Sequence, residues 1–235
     1  MRLVCLYIAF IFLTGCTVQQ IQQTLGDYLE TDELTTEQVT AGLKEALVKG
    51  VTTGASKASS LNGYFGNPKI KIPFPPDVQR VEDKLRSIGL GGEVDKFVET
   101  LNRGAEEAAK EAKPIFVEAI KGMTVQDAWG ILKGTDNEAT QYLKAKTSAQ
   151  LTAKFQPVIK QALDKTSATK YYGDIISTYN KIPFVDKVNP DLESYATSLA
   201  LEGLFTLVAE EEREIRANPG ARTTELLKKV FAQQD

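Results

Sequence analysis

Apolar residues recur at helical spacing along most of this chain, and the clearest case comes first. Two stripes at four-residue intervals run side by side: Val39, Leu43, Leu47, Val51, Ala55, and Gly42, Ala46, Gly50, Gly54, Ala58. Residues four apart share one face of a helix, so both stripes lie on the same side. Thr35-Thr36-Glu37-Gln38 precedes them and reads as a capping box. Each of the three glycines costs a helix roughly 1 kcal/mol relative to alanine. Small residues admit a close neighbour, so this face reads as the seat of a tight helix crossing. Its other use would be self-association or membrane insertion, but an amphipathic face in a soluble domain is ordinarily core.

The same period continues downstream. Helices are expected over Asp77 to Ile88, stopped by Gly89-Leu90-Gly91-Gly92, and over Glu93 to Ala112, with Val94, Phe97, Val98, Leu101, Ala105 and Ala108 inward. Pro114 restarts a segment from Ile115 to Lys121, and Thr124 opens a short helix that Gly134 stops. Thr135-Asp136-Asn137-Glu138 reads as a second capping box, opening a helix toward Phe155 that Pro157 kinks before it resumes through Leu163. Ala168 to Tyr179 is a further helix. Asn189 caps and Pro190 begins a long one reaching about Ala217, whose end, Glu210 to Glu214, reads as solvated. A last helix is expected over Thr224 to Ala232.

Residues 60–76 break the pattern with Gly63, Gly66, Pro68, Pro73, Pro75 and Pro76, and Lys69-Ile70-Lys71-Ile72 alternates like a short strand. Lys71-Ile72-Pro73-Phe74 recurs as Lys181-Ile182-Pro183-Phe184. The repeat reads either as a vestigial duplication or as two extended pieces pairing as a ribbon, with proline confining them to edges. No series of strands alternates with the helices. The expected fold is all-α, a multi-helix orthogonal bundle with one or two short extended Pro-rich arms.

The N-terminus changes the picture of where the domain works. Leu3 to Leu13 is apolar, follows Arg2, and is too short for a bilayer span, which needs about 20 residues. Leu13-Thr14-Gly15-Cys16 closes it and resembles the lipobox of bacterial lipoproteins. That resemblance implies cleavage before Cys16, a diacylglycerol thioether on its sulfur and acylation of its new amino group. The expected organisation is a signal over 1–15, a lipidated cysteine with a polar, Gln-rich tether over 16–34, and a single all-α domain over 35–235. The partner so implied is a membrane, reached through the lipid on Cys16, and the expected location is periplasm-facing on the outer membrane of a Gram-negative bacterium. Thr17, not Asp, follows Cys16, which fits that membrane by the usual enterobacterial sorting pattern.

Charge and composition narrow the chemistry. The formal net charge is −3, and it becomes −4 once Arg2 leaves with the signal, 27 cations against 31 acids. A mildly acidic, mixed surface carries no footprint for nucleic acid. Histidine is absent, and both cysteines lie within the first 16 residues. The commonest general base, the commonest metal ligand and any spare thiol are therefore missing beyond Cys16, and no cofactor or enzymatic activity is expected.

Four groups of residues still invite a functional reading. Asp136-Asn137-Glu138 lacks the spaced oxygens of a calcium loop and reads as a cap. Glu106, Glu107, Lys110 and Glu111 read as surface decoration at helical spacing. Arg222, Lys228 and Lys229 make a small basic helix end. Trp129, Tyr142, Tyr171 and Tyr172 are candidates to line an apolar pocket, though aromatics at helical spacing are more often core. The expected role is a structural or interaction module with an envelope protein as partner. The alternative is a binding module for a lipid or small hydrophobic ligand held between helices.

Several segments together resemble one family. They are Asn67-Pro68 with Ile72-Pro73, Lys113-Pro114-Ile115-Phe116, Met123-Thr124-Val125-Gln126-Asp127-Ala128 and Ala139-Thr140-Gln141-Tyr142. Tyr179-Asn180-Lys181-Ile182-Pro183, Asn189-Pro190-Asp191-Leu192 and Ala221 to Phe231 complete the set. The chain is similar over roughly residues 35–232 to the bacterial domain of unknown function 4197 family. The resemblance implies a secreted or lipid-anchored protein of Gram-negative bacteria and supplies no catalytic or ligand residue.

Overall fold

All ten residues of the two glycine- and leucine-bearing stripes are buried along the first helix, α1, Thr36–Ser59. Their common face explains the fold, because α1 packs on five other helices. The computed structural model describes residues 35–165, 172–173, 176–177, 179–181, 183–184, 187–188, 191–222 and 224–232. The further helices are α2 (Gln79–Ser87), α3 (Gly91–Ala108), α4 (Ala112–Lys121), α5 (Val125–Lys133), α6 (Glu138–Asp164), α7 (Leu192–Ala217) and α8 (Glu225–Ala232). Short 3-10 turns occupy Pro76–Val78, Ala109–Glu111 and Pro219–Ala221. Among the described residues there is no strand, so the fold is an all-α multi-helix bundle. These helices fall within one compact unit, Thr36–Asp235.

The bundle has two central members. Helix α1 meets α7 along its glycine face and also touches α3, α4, α5 and α8; α6 meets α3 and α7 and is closed by α4 and α5. A β-carbon on Gly54 would stand 3.3 Å from the Val208 backbone nitrogen of α7, so the tight crossing lies there. At Gly50 the same atom would meet only Glu211 Cβ and Ile215 Cδ1 at 3.7 Å, an ordinary contact. Gly203, on α7, faces a closer wall than either: its β-carbon would lie 2.7 Å from the Tyr64 ring and 3.0 Å from Ile70 Cβ.

The segment between α1 and α2 is a turn and an extended arm, not a strand. Ile70 and Lys71 donate their amides to the Asn67 carbonyl, which closes a turn over the alternating residues. Ile72 then gives its amide to Asn102 Oδ1 and accepts from Asn102 Nδ2, both at 2.8 Å. The Ile72 amide that a ribbon partner would have taken is therefore engaged by a side chain of α3. The two copies of the repeated tetrapeptide also differ in environment: Phe74 is buried against Phe97, their ring centroids 5.2 Å apart, whereas Phe184 is fully exposed. Ile182, in the second copy, lies outside the described residues, as do Asn189 and Pro190.

Helix ends correct the sequence expectations in three places. Gly89, at φ +86°, ends α2, but Gly91 and Gly92 open α3. Asp191 caps α7 by accepting from the Ser194 amide at 2.9 Å. At α6, the Thr135 hydroxyl does not accept from the Glu138 amide, which donates to the Thr135 carbonyl instead; the Glu138 carboxylate reaches back to the Thr135 amide, and the next amides are met from another helix. Thr124 opens α5 as expected, and it does so through a capping box with Asp127 as the reciprocating acid, whose two bonds with Thr124 hold the Asp127 carboxyl below the usual range. Helix α6 runs through Pro157 without interruption. The expected helix over Ala168 to Tyr179 lies largely outside the described residues.

Candidate functional site

Three side chains that read from the sequence as solvated are buried instead, and each closes a helix end or a turn. Glu106 is 5% exposed and accepts the amides of Tyr64 and Phe65, both at 3.1 Å, and the Arg103 guanidinium at 2.7 Å. Glu212 accepts the amides of Ala139 and Thr140 at 3.0 and 2.8 Å, supplying the cap that α6 lacks from its own sequence. A carboxylate at a helix N-terminus satisfies orphan amides and complements the dipole there. Arg216, four residues on, pairs with Glu212 and also donates to the Ile131 carbonyl at the end of α5. Arg222 is buried and donates to the carbonyls of Ile215 and Arg216, so it caps α7 and is not part of an exposed basic end. All three groups bond the backbone of a helix end or a turn, which gives each a structural role. Among the described residues no three of Asp, Glu, Cys or His come together as a metal site.

An apolar cavity lies where α1, α5, α6 and α7 meet, bounded by Leu43, Leu47, Gly50, Ile131, Leu143 and Phe231. Its volume is about 20 Å³. A cavity of roughly 10–15 Å³ holds one water, so this cavity has no room for an acyl chain.

A much larger cleft, about 440 Å³, runs along the outer side of the α6–α7 pair. The two helices are antiparallel here, so Lys144, Ser148, Thr152 and Gln156 of α6 face Phe205, Leu201, Thr197 and Ser194 of α7. Leu201 and Phe205 are buried and form an apolar floor. Thr197 is 3% exposed and its hydroxyl has no hydrogen-bond partner. This is the site with the size and the convergent polar groups of a ligand cleft.

The aromatics singled out from the sequence lie elsewhere. Trp129 and Tyr142 are half-buried, and each carries a lysine ammonium over its ring, Lys133 at 5.1 Å and Lys146 at 5.6 Å. Tyr172 is buried and stacks on Phe97, which in turn meets Phe74. Burial, with Asp77 nearby, pushes the Tyr172 phenol up to about 12. None of these three lines either cavity described above. Tyr171 and Cys16 lie outside the described residues.

The buried polar groups had a signal in the sequence. Val94, Val98, Asn102 and Glu106 are spaced by four, as are Ala200, Leu204, Val208 and Glu212. A polar residue in phase with an apolar stripe is carried into the core by the helix. Thr197 is likewise in phase with Leu201 and Phe205.

An all-α bundle with buried carboxylates at its helix ends and a polar groove on its surface defines the class. Within it, the chain belongs to the family described as a protein of unknown function (DUF4197), whose model matches residues 33–232. No curated protein and no solved structure matches it.

Proposed function

We propose that this protein is a lipid-anchored component of the cell envelope, held at a membrane by Cys16, with the α-bundle facing the periplasm as an interaction module. The observation that carries this reading is Leu13-Thr14-Gly15-Cys16 at the end of a short apolar run. Two or more acyl chains make attachment stable where one is marginal. Residues 17–34 are polar and long enough to let a domain stand away from the surface. No helix among the described residues is long and apolar enough to cross a membrane, so attachment through the bundle itself has no support.

The reading is non-enzymatic, since the chain has no histidine and the buried acids are engaged in capping. A carrier of lipid or hydrophobic metabolite is disfavoured by the small volume of the apolar cavity. The test is Cys16→Ser expressed from the full-length gene, with cells fractionated into membrane and soluble pools. The expected result is the unaltered protein in the membrane pool and the variant released. A variant that stays with membranes removes the anchor reading.

A further inference from the structure

We propose that the groove between α6 and α7 is a binding site for a neutral, polyhydroxylated ligand of the saccharide class. The proposal stands on the described bundle and does not depend on the lipid anchor.

The lining sets the chemistry. Ser148 donates its hydroxyl to the Lys144 carbonyl at 2.6 Å, Thr152 donates to the Ser148 carbonyl at 2.8 Å, and Ser194 donates to Asp191 at 2.6 Å. Their protons are committed, and their oxygens keep lone pairs able to accept from a ligand. The Gln156 amide and the Ser198 hydroxyl have no hydrogen bond to the protein and can both donate and accept. Thr197 supplies a further hydroxyl, buried and unpartnered. Buried polar groups are ordinarily satisfied, so an orphan hydroxyl in the lining of a cleft points to a partner that enters the cleft.

Charge and shape narrow the class. The lining carries one cation, Lys144, and one anion, Glu202, so its formal charge cancels and favours neither an anion nor a cation. The walls are hydroxyl and amide while the floor is Leu201 and Phe205. Sugars present that combination, alternating O–H donors and acceptors around an edge with C–H faces against an apolar base. The volume of about 440 Å³ falls within the roughly 300–1,000 Å³ of ligand clefts.

The experiment uses the full chain in a zwitterionic detergent that carries no sugar headgroup, with chitotriose and maltotriose as neutral probes and ligand-observed NMR as the readout. Saturation transfer to at least one probe is expected. Thr197→Val should weaken it about tenfold, the worth of one hydrogen bond. The melting temperature of that variant should stay level or rise, because an unsatisfied hydroxyl has been removed. Ser198→Ala, at an exposed position, should leave the melting temperature unchanged and also weaken binding. The proposal is overturned if neither probe binds, if binding survives both substitutions unchanged, or if only a charged or peptide ligand competes for the cleft.

Discussion

Glu212 of α7 and Thr140 of α6 are joined twice, since the Thr140 amide and the Thr140 hydroxyl both donate to Glu212 Oε2 at 2.8 Å. Its other oxygen takes the Ala139 amide and the Arg216 guanidinium. The pair therefore couples the start of α6 to the end of α7, and through Arg216 to the end of α5. Glu212→Ala leaves the half-buried Arg216 without its acid, and breaking such a pair costs about 3 kcal/mol, the low end for buried pairs. Urea denaturation should show a loss of that size. Thr140→Val keeps the amide bond and should lose only about 1 kcal/mol. Equal losses for the two variants would remove Glu212 as the centre of this junction.

Asn102 holds the proline-rich arm by its side chain alone, bonding both backbone groups of Ile72 and the Val98 carbonyl, each at 2.8 Å. Asn102→Asp keeps the acceptor for the Ile72 amide but turns an oxygen toward two carbonyls. Two carbonyls losing their donor should cost about 3 kcal/mol at neutral pH. A carboxyl so placed is held protonated more readily than in the unfolded chain, so its folded pKa is raised. The deficit should then shrink as the pH falls through that raised value, because the protonated acid donates again. Hydrogen exchange at the Ile72 amide and urea midpoints across the acidic range check this. A deficit that grows toward low pH would contradict it.

The glycines on the helix faces should separate by neighbour distance. Each Gly→Ala change gains roughly 1 kcal/mol of helix propensity. At Gly50 the new methyl meets side chains at 3.7 Å and fits, so Gly50→Ala should be neutral or stabilising. At Gly54 it meets the α7 backbone at 3.3 Å, which cancels or outweighs the gain. At Gly203 the 2.7 Å approach to the Tyr64 ring forces repacking, and overpacking of that kind costs about 1–3 kcal/mol. Gly50→Leu extends beyond the methyl into Glu211 and Ile215 and should destabilise. Melting temperatures should fall in the order Gly50→Ala, Gly54→Ala, Gly203→Ala, and any other order contradicts the crossing geometry.

Burial pushes Tyr172 and Tyr195 up to about 12 each, above the ordinary value of 10.0 for an unfolded phenol. Between those values the folded chain binds more protons than the unfolded one, so stability falls as the pH rises. The contribution is complete below about pH 10 and is lost as the pH climbs toward the folded values. Tyr172→Phe should flatten that alkaline decline. Urea midpoints followed with phenolate absorbance would show it, and an unchanged decline would mean that these rings do not govern alkaline unfolding.

Periodicity made α1 legible down to each buried residue, because a helix face is a local property of spacing. Glu106 and Glu212 read as solvated from their charge, against the phase of their helices. Both continue apolar stripes at intervals of four, and burial followed the stripe. The α6 cap was invisible for a different reason: its acceptor lies 72 residues away, and no local motif encodes such a partner. The strand reading of Lys69 to Ile72 failed because alternation over four residues cannot distinguish a strand from a turn whose hydrogen bonds go to Asn67 and Asn102.

The candidate site divides in the same way. Thr197 is legible as a helical residue in phase with Leu201 and Phe205. That its hydroxyl would be buried without a partner, beside hydroxyls from α6, depends on how two helices pair. By itself the sequence determined the all-α class, the extent of most helices and the face each one buries, since those follow from spacing, caps and breakers within a few residues. Only the tertiary structure decided which helices meet, which acids became caps, how little apolar space was left, and where a polar groove opened. Those outcomes rest on the fit of distant surfaces, which no local pattern specifies.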